Sequence, residues 1–385
     1  MVKGNRIMQD MEPRKSLGGF FEFLGVNDEQ LPFDEKLLVR LAENVELSLE
    51  DKRIFDEIYV ELVERKKLPF HWTLQESNYF AYNSQAKWLD YIIYRYKFKT
   101  YPKMNIVTQF PIYLLIELTS MCNLRCKMCF QADQTFATKR FKGSMPFDLF
   151  RGIVDQAVEG GTKAVTLGSR GEPLLYKDIS KALYYLRNKF IELKLVTNAT
   201  KLTEKLCHDI LSSNVNVLVF SVDACTEELY EKIRDHGSFK DVYRNITRFE
   251  EIRAKEYSNS QTTTRISGVK IMKEQDEIAF QKFWSEICDE VGMKRSVERW
   301  NTYENPVHAD LISPCHLLWE RMYVLFDGNV NPCDCDYKNE LLVGNIQEKS
   351  IKEIWNGEKL RYLRESHLKG ERLRLYPCDR CGFRV

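Results

Sequence analysis

Three stretches separate by the spacing of their apolar positions. Over residues 1–105 the apolar residues recur at helical intervals: Leu37, Leu38, Leu41 and Val45, then Ile54, Phe55, Ile58 and Leu62. Ser48 and Asp51 stand ahead of the second group as a capped amphipathic helix requires. Residues 79–98 are crowded with aromatics, among them Tyr82, Trp88, Tyr91, Tyr94, Tyr96 and Phe98, a stripe that reads as core packing. From about residue 112 the period changes. Short apolar runs at 112–118, 164–167, 193–196, 217–222 and 266–271 alternate with helical stretches at 147–157, 179–190, 203–211, 242–252 and 278–291. Repeats of this kind predict parallel β/α units, and five or six of them make an α/β partial (β/α)6 barrel of the TIM type over 106–300. Chemistry in such folds gathers where strand C-termini meet the loops.

The last stretch, 301–385, has a third pattern. Met322 to Phe326 alternates, Asp327-Gly328 supplies a tight turn and Asn329 to Cys333 returns, which predicts a hairpin. Ser350 and Glu353 form a capping box ahead of Ile354, Trp355, Leu360 and Leu363. With its cysteine pairs this makes a small metal-dependent domain.

Composition narrows the reading. A formal net charge of +1 over 385 residues gives no global pull toward nucleic acid or an anionic membrane. No apolar run is long enough to span a bilayer and the N-terminus lacks a secretory segment, so the expected compartment is the cytosol. Eleven cysteines in a chain of this length suit metal-held thiolates better than a disulfide scaffold. Three lie between Cys122 and Cys129 and five between Cys315 and Cys381; Cys207, Cys225 and Cys288 read as ordinary buried thiols.

Cys122, Cys126 and Cys129 follow directly on the first barrel strand, spaced Cys-x3-Cys-x2-Cys. Three thiolates on a short loop can hold three corners of a four-iron, four-sulfur cube and leave one iron open to chelate an amino and a carboxylate group. A zinc knuckle with a distant fourth ligand, or three structural thiols, are the bland alternatives. In the C-terminal group Cys315, Cys333, Cys378 and Cys381 form a complete set for either an iron–sulfur cube or zinc, and Cys335 looks supernumerary.

The first cysteine segment resembles the signature of the radical S-adenosylmethionine superfamily, and the resemblance extends over roughly residues 110–300. It implies reductive cleavage of S-adenosylmethionine at a core [4Fe-4S] cluster, hydrogen abstraction by a 5′-deoxyadenosyl radical, and a reductant such as flavodoxin or ferredoxin as partner. Met128 stands where the family often places an aromatic against adenine. Gly168-Ser169-Arg170-Gly171-Glu172-Pro173 resembles the family's Gly-Gly-Glu-Pro loop, implying that Gly171 and Glu172 hold the ligand's ammonium; Arg170 replaces a glycine. Asn198, Ser221 and Asp223 at strand ends, and Arg234, occupy the region that in the family contacts ribose and carboxylate.

The C-terminal group resembles a SPASM or twitch extension, which implies a second [4Fe-4S] cluster. The full SPASM pattern holds two auxiliary clusters and needs more cysteines than the five here, so one is expected. Asp334 sits in a Pro-Cys-Asp context that resembles that of a proposed proton acceptor in sulfatase-maturing relatives, against the simpler reading of Asp334 and Asp336 as turn residues. The 1–105 region lacks the pattern of a leader-peptide-binding module. The expected substrate is therefore a small molecule, a saccharide or nucleotide-linked sugar, with a peptide or protein substrate as the alternative and a non-catalytic cluster or zinc protein as a further one.

Overall fold

In the computed structural model, which describes residues 35–43, 46–61, 76, 79–81, 83–295, 303 and 313–381, the alternating runs form one nine-stranded sheet. Its order is β11-β10-β9-β1-β3-β4-β5-β7-β8. Six parallel strands make the barrel portion: β1 (Tyr113–Ile116), β3 (Ala164–Leu167), β4 (Glu192–Thr197), β5 (Val217–Ser221), β7 (Thr263–Lys270) and β8 (Glu290–Arg295). A two-residue ribbon of β2 (Arg125–Cys126) and β6 (Arg234–Asp235) lies apart from the sheet. Val45, Leu62, Tyr82 and the 300/301 boundary lie outside the described residues.

Alternation decides the two faces of the sheet. Leu114 and Ile116, Val165 and Leu167, Leu193 and Leu195, and Leu218 and Phe220 join one core cluster with helix residues such as Phe150, Leu183, Ile210 and Phe249. The opposite face is polar at its lower end. There Lys194 meets Glu192 at 3.2 Å and Arg265 meets Glu290 at 2.5 Å.

The aromatic stretch becomes the helix Trp88–Thr100, whose Tyr91, Tyr94 and Tyr96 are buried. Tyr79 stacks on Tyr91 at 3.6 Å, and Phe98 meets Tyr113 of β1 edge-on. Arg95 of this helix pairs with buried Glu76 at 2.7 Å and approaches Glu192, the first residue of β4, at 3.8 Å. The helix thus packs at the N-terminal ends of the strands, away from their C-terminal loops. Ser48 caps the helix Leu49–Tyr59 through the Asp51 amide.

Two expectations change. The helical stretch expected to run to residue 291 stops at Ser285, and residues 290–295 become the sixth barrel strand. Periodicity could not separate these states in a short apolar run; Asp289 settles it by accepting from Thr264 of β7 and pairing with Arg253. The hairpin of β9 (Arg321–Val324) and β10 (Asn329–Asn331) forms as expected around Gly328, whose φ is +81°. It does not stand apart, however. β9 runs parallel to β1 in register Tyr113↔Arg321, so the barrel sheet and the C-terminal segment are continuous, with β11 (Gly344–Asn345) at the edge.

The capping box of Ser350 and Glu353 starts the helix Ile351–Trp355. Trp355 is fully buried, donates to the Thr108 carbonyl at 2.8 Å, and carries the Arg364 guanidinium 4.1 Å over its ring. Trp355→Ala should therefore cost about 4 kcal/mol, through lost burial and the cavity left behind. A lower unfolding midpoint in denaturant checks this; an unchanged midpoint would mean that the C-terminal helices hold on without it.

Candidate functional site

The loop after β1 carries the first cysteine group at the C-terminal end of the strands. Its short ribbon pairs Cys126 with Arg234 and Arg125 with Asp235, fastening the loop to the segment that follows β5. The Lys127 amide donates to the Ile233 carbonyl at 3.0 Å, and Arg125 folds back onto the carbonyls of Cys122 and Leu124 at 3.0 and 2.8 Å. The Cys129 amide donates to the Cys126 carbonyl at 2.9 Å, closing a turn around half-buried Met128. Three cysteines are held on one loop without relying on each other.

As donors they suit a metal group. Burial pushes the Cys126 thiol up to about 12, with Arg234 opposing, and Cys129 up to about 11. Left alone they stay protonated at neutral pH; a bound metal is what holds such sulfurs as thiolates. Among the described residues no group of three or more His, Cys, Asp or Glu side chains is placed to hold a metal ion. Three thiols on one short loop match in number the three protein-held corners of a four-iron cube.

The Gly171 loop lies directly against this one. A Cβ at Gly171 would stand 2.1 Å from the Thr119 carbonyl oxygen and 2.7 Å from that of Met121. The Glu172 amide donates to the Met121 carbonyl at 2.8 Å. The Glu172 carboxylate is buried and accepts from the Leu174 amide at 3.0 Å, Thr197 Oγ1 at 2.6 Å and the Asn198 amide at 2.7 Å. Burial raises its pKa while these donors oppose the rise. With one donor on Oε2, acceptor capacity remains there for an incoming cation. Asn198 Nδ2 reaches Asn123 Oδ1 at 3.2 Å and lies 4.0 Å from Cys122 Sγ. Ser221 is half-buried at the end of β5.

Arg234 is buried and committed. Its guanidinium pairs with Asp223 at 2.7 Å, donates to the Val222 carbonyl at 3.0 Å, and lies 3.7 Å from Cys126 Sγ. In this structure it steadies the cysteine loop, and all three guanidinium nitrogens have protein neighbours.

Arg170, the departure within the glycine loop, is the best-connected side chain of the site. It is buried and forms a two-point pair with Glu117 at 2.6 and 2.7 Å, and also donates to the Tyr337 carbonyl at 3.0 Å and Asn339 Oδ1 at 3.1 Å. Its carbonyl accepts from Gln131, which also donates to the Ser120 carbonyl at 3.0 Å. Lys142 holds Gln131 at 2.6 Å. A planar fork matching a carboxylate makes this the kind of buried pair that fixes geometry. It joins the glycine loop to the segment after Cys335. Sequence reasoning flagged Arg170 but carried no sign of its partners, which are 53 and 169 residues away.

The second cysteine group lines a cavity of about 500 Å³, open mouth included. Cys315, Cys333, Cys378 and Cys381 are all on it, and so is Cys335, which the spacing alone had set aside. Cys335 lies within hydrogen-bonding reach of Cys333 and Cys381. Burial pushes Cys315 up to about 11, with Arg372 opposing. Two further wall residues, His367 and Arg372, had no signal in the sequence.

The two aspartates part company. Asp336 is buried and saturated, accepting from Tyr303 at 2.5 Å, Asn331 at 3.0 Å, and the amides of Glu340 and Leu341 at 2.9 and 2.7 Å. Asp334 is half-buried beside Cys335, whose sulfur is 4.0 Å from its Oδ1. No described helix is long and apolar enough to cross a membrane.

Comparison with known proteins adds the family. The Radical SAM superfamily model matches residues 116–282, and SPASM, an iron–sulfur cluster-binding domain, matches 315–382. A tungsten-containing aldehyde ferredoxin oxidoreductase cofactor-modifying protein of Pyrococcus furiosus is 33% identical over 112 residues, 29% of this chain and 30% of that protein. A GTP 3′,8-cyclase of Desulforamulus reducens is 28% identical over 136 residues, 35% of this chain and 41% of that one. The matches thus span less than half of these relatives. Among solved structures, Streptococcus suis SuiB bound to S-adenosylmethionine aligns over 92% of this chain and 88% of its own, with TM-score 0.53 and 18% identity. The structure of anSMEcpe with bound AdoMet aligns over 71% and 85%, with TM-score 0.50 and 17% identity. At these identities the likeness is one of fold.

Proposed function

The chain belongs to the radical S-adenosylmethionine superfamily and carries a C-terminal SPASM domain, and from that premise we propose an enzyme that oxidises a small-molecule substrate, a saccharide or nucleotide-linked sugar, by hydrogen abstraction. The observation that carries the chemistry is the contact between the Gly171–Glu172 turn and the start of the loop of Cys122, Cys126 and Cys129, which brings the buried Glu172 carboxylate within electrostatic reach of Cys122. Cys122, Cys126 and Cys129 would hold a [4Fe-4S] cluster that would supply the electron for reductive cleavage of S-adenosylmethionine, and the C-terminal cysteines would hold a second cluster that would supply an electron acceptor.

This chain's residues then have distinct tasks. Cys122, Cys126 and Cys129 hold the core group, and Cys315, Cys333, Cys378 and Cys381 the second, with Cys335 in reserve within the same cavity. Glu172 Oε2 receives the ammonium of the methionyl portion, while Thr197 and the Asn198 amide keep its carboxylate from rotating. Asn198 and Ser221 would serve the ribose and Met128 the base, as the family pattern implies. Arg234 favours the thiolate of Cys126 and keeps its loop in place. Asp334 accepts the proton released when the substrate radical is oxidised.

A small molecule is favoured over a peptide by the position of the helix Trp88–Thr100. It sits at the N-terminal strand ends, through Arg95 and Glu192, and not at the cysteine loops. A peptide substrate is the second reading, since SuiB, whose fold is similar, has also been solved with its precursor peptide.

Anaerobic reconstitution tests the core claim. Two cubes predict about eight irons per chain, and reductant with S-adenosylmethionine should yield 5′-deoxyadenosine. Zinc in both sites, or no 5′-deoxyadenosine with any reductant, would sink it. Asp334→Asn should leave 5′-deoxyadenosine formation intact and slow substrate oxidation about 100-fold, the typical share of a positioned base. Equal loss of both would place Asp334 in the framework instead.

A further inference from the structure

His367 lies in the last turn of the helix Glu358–Leu368 and is 1% exposed. Its ring is on the wall of the cavity that Cys315, Cys333, Cys335, Cys378 and Cys381 surround. The Cys315 amide donates to its Nδ1 at 3.1 Å. A neutral imidazole that accepts at Nδ1 carries its proton at Nε2. Among the described residues that Nε2 has no hydrogen-bond partner. A buried N–H without an acceptor is costly, and it marks a place where a further group belongs. Arg372, 1% exposed, lines the same cavity.

We propose that the His367 Nε2–H donates a hydrogen bond to a sulfur of the cluster held by the C-terminal cysteines and, with the Arg372 cation beside it, raises that cluster's reduction potential so that it serves as the electron acceptor. The inference rests on the reading that these cysteines hold an iron–sulfur cluster. Hydrogen bonds to cluster sulfurs and nearby positive charge both stabilise the reduced, more negative state. The balance is simple: the substrate radical gives one electron to the oxidised cluster and one proton to a base, leaving a closed-shell product. His367 touches neither substrate nor reacting carbon, so it is a positioning and tuning residue.

The test is a redox titration followed by electron paramagnetic resonance. It uses the full chain with Cys122, Cys126 and Cys129 changed to alanine, so that only the C-terminal cluster contributes. His367→Asn can keep an acceptor for the Cys315 amide in the Nδ1 place but loses the distal donor. His367→Gln carries an N–H near the Nε2 place. We expect His367→Asn to lower the reduced-to-oxidised ratio at fixed potential about tenfold, which is about 59 mV for one electron. His367→Gln should recover most of that shift. A role limited to holding the Cys315 backbone predicts the reverse order.

Full iron with an unshifted midpoint in His367→Asn would overturn the proposal. Should that variant lose its iron, pulsed resonance of the reduced chain with 15N-labelled histidine decides. A ring-nitrogen coupling that vanishes in His367→Gln or weakens there supports it, and no coupling in the parent chain refutes it. If the parent chain binds no iron at its C-terminal cysteines, the reading of that site fails first and the inference falls with it.

Discussion

Replacing Cys122, Cys126 and Cys129 together by alanine should abolish 5′-deoxyadenosine formation and halve the iron content, from about eight to about four atoms per chain. The remaining iron should keep its spectrum, because the C-terminal cavity is walled by residues of 315–381 and takes no side chain from the first loop. The fold should survive as well. That loop is fastened by the β2–β6 ribbon, the Lys127 amide and the back-folded Arg125, none of which uses a sulfur. Circular dichroism and iron analysis on the same sample read both halves of the expectation. Surviving cleavage would mean that the two cysteine groups have been given each other's roles.

The second large effect belongs to one methyl group. Gly171→Ala places a Cβ 2.1 Å from the Thr119 carbonyl oxygen and 2.8 Å from the Ser120 carbonyl carbon, and these are backbone atoms that cannot swing aside. The two loops must separate by roughly 1 Å, and a displacement of that size near reacting groups can cost about 100-fold in rate. Cleavage of S-adenosylmethionine should fall by about that factor while iron binding at the C-terminal cavity is kept. Gly152→Ala is the control. It lies in the helix Phe147–Glu159 with nothing within 4 Å of its Cβ, and there alanine should be neutral or stabilise by up to about 1 kcal/mol. If Gly171→Ala cleaves as fast as the parent, the contact between the loops does not matter to the chemistry.

Arg170 shows how a departure from a family pattern is absorbed. An arginine in place of glycine would crowd a ligand if its side chain pointed into the site. Instead it turns to Glu117 and the segment Tyr337–Asn339, where every polar end has a partner. The cost of burying the charge is offset by the two-point pair and two further acceptors. The glycine loop and the second cysteine group are consequently tied together by one side chain.

The local patterns carried a good deal. The alternation of apolar runs and amphipathic stretches, the Asp327-Gly328 turn, the Ser350–Glu353 capping box and the uneven cysteine triplet all depend on residues close in sequence. Local rules of periodicity, capping and spacing therefore sufficed to place them. They also bounded the chemistry, since three thiols on one loop after a strand have few uses. The helix expected over 278–291 stops at Ser285 for a reason lying elsewhere: Asp289 answers to Arg253 and to Thr264 on the preceding strand.

What only the tertiary structure decided is everything that needed two distant segments to meet. Pairing of β9 with β1 joins the hairpin to the barrel across 208 residues, Tyr113↔Arg321. Strand pairing carries no local signature of its partner. The same holds for Cys335, which spacing made superfluous and which burial puts in the cavity with the other four. It holds most for His367 and Arg372, polar residues on or beside an ordinary helix until the chain brings them against the thiols. The triplet of cysteines was legible because its members are chain neighbours. The surroundings that tune the second group were not, because hydrogen bonds and fields act through space and the sequence records only order along the chain.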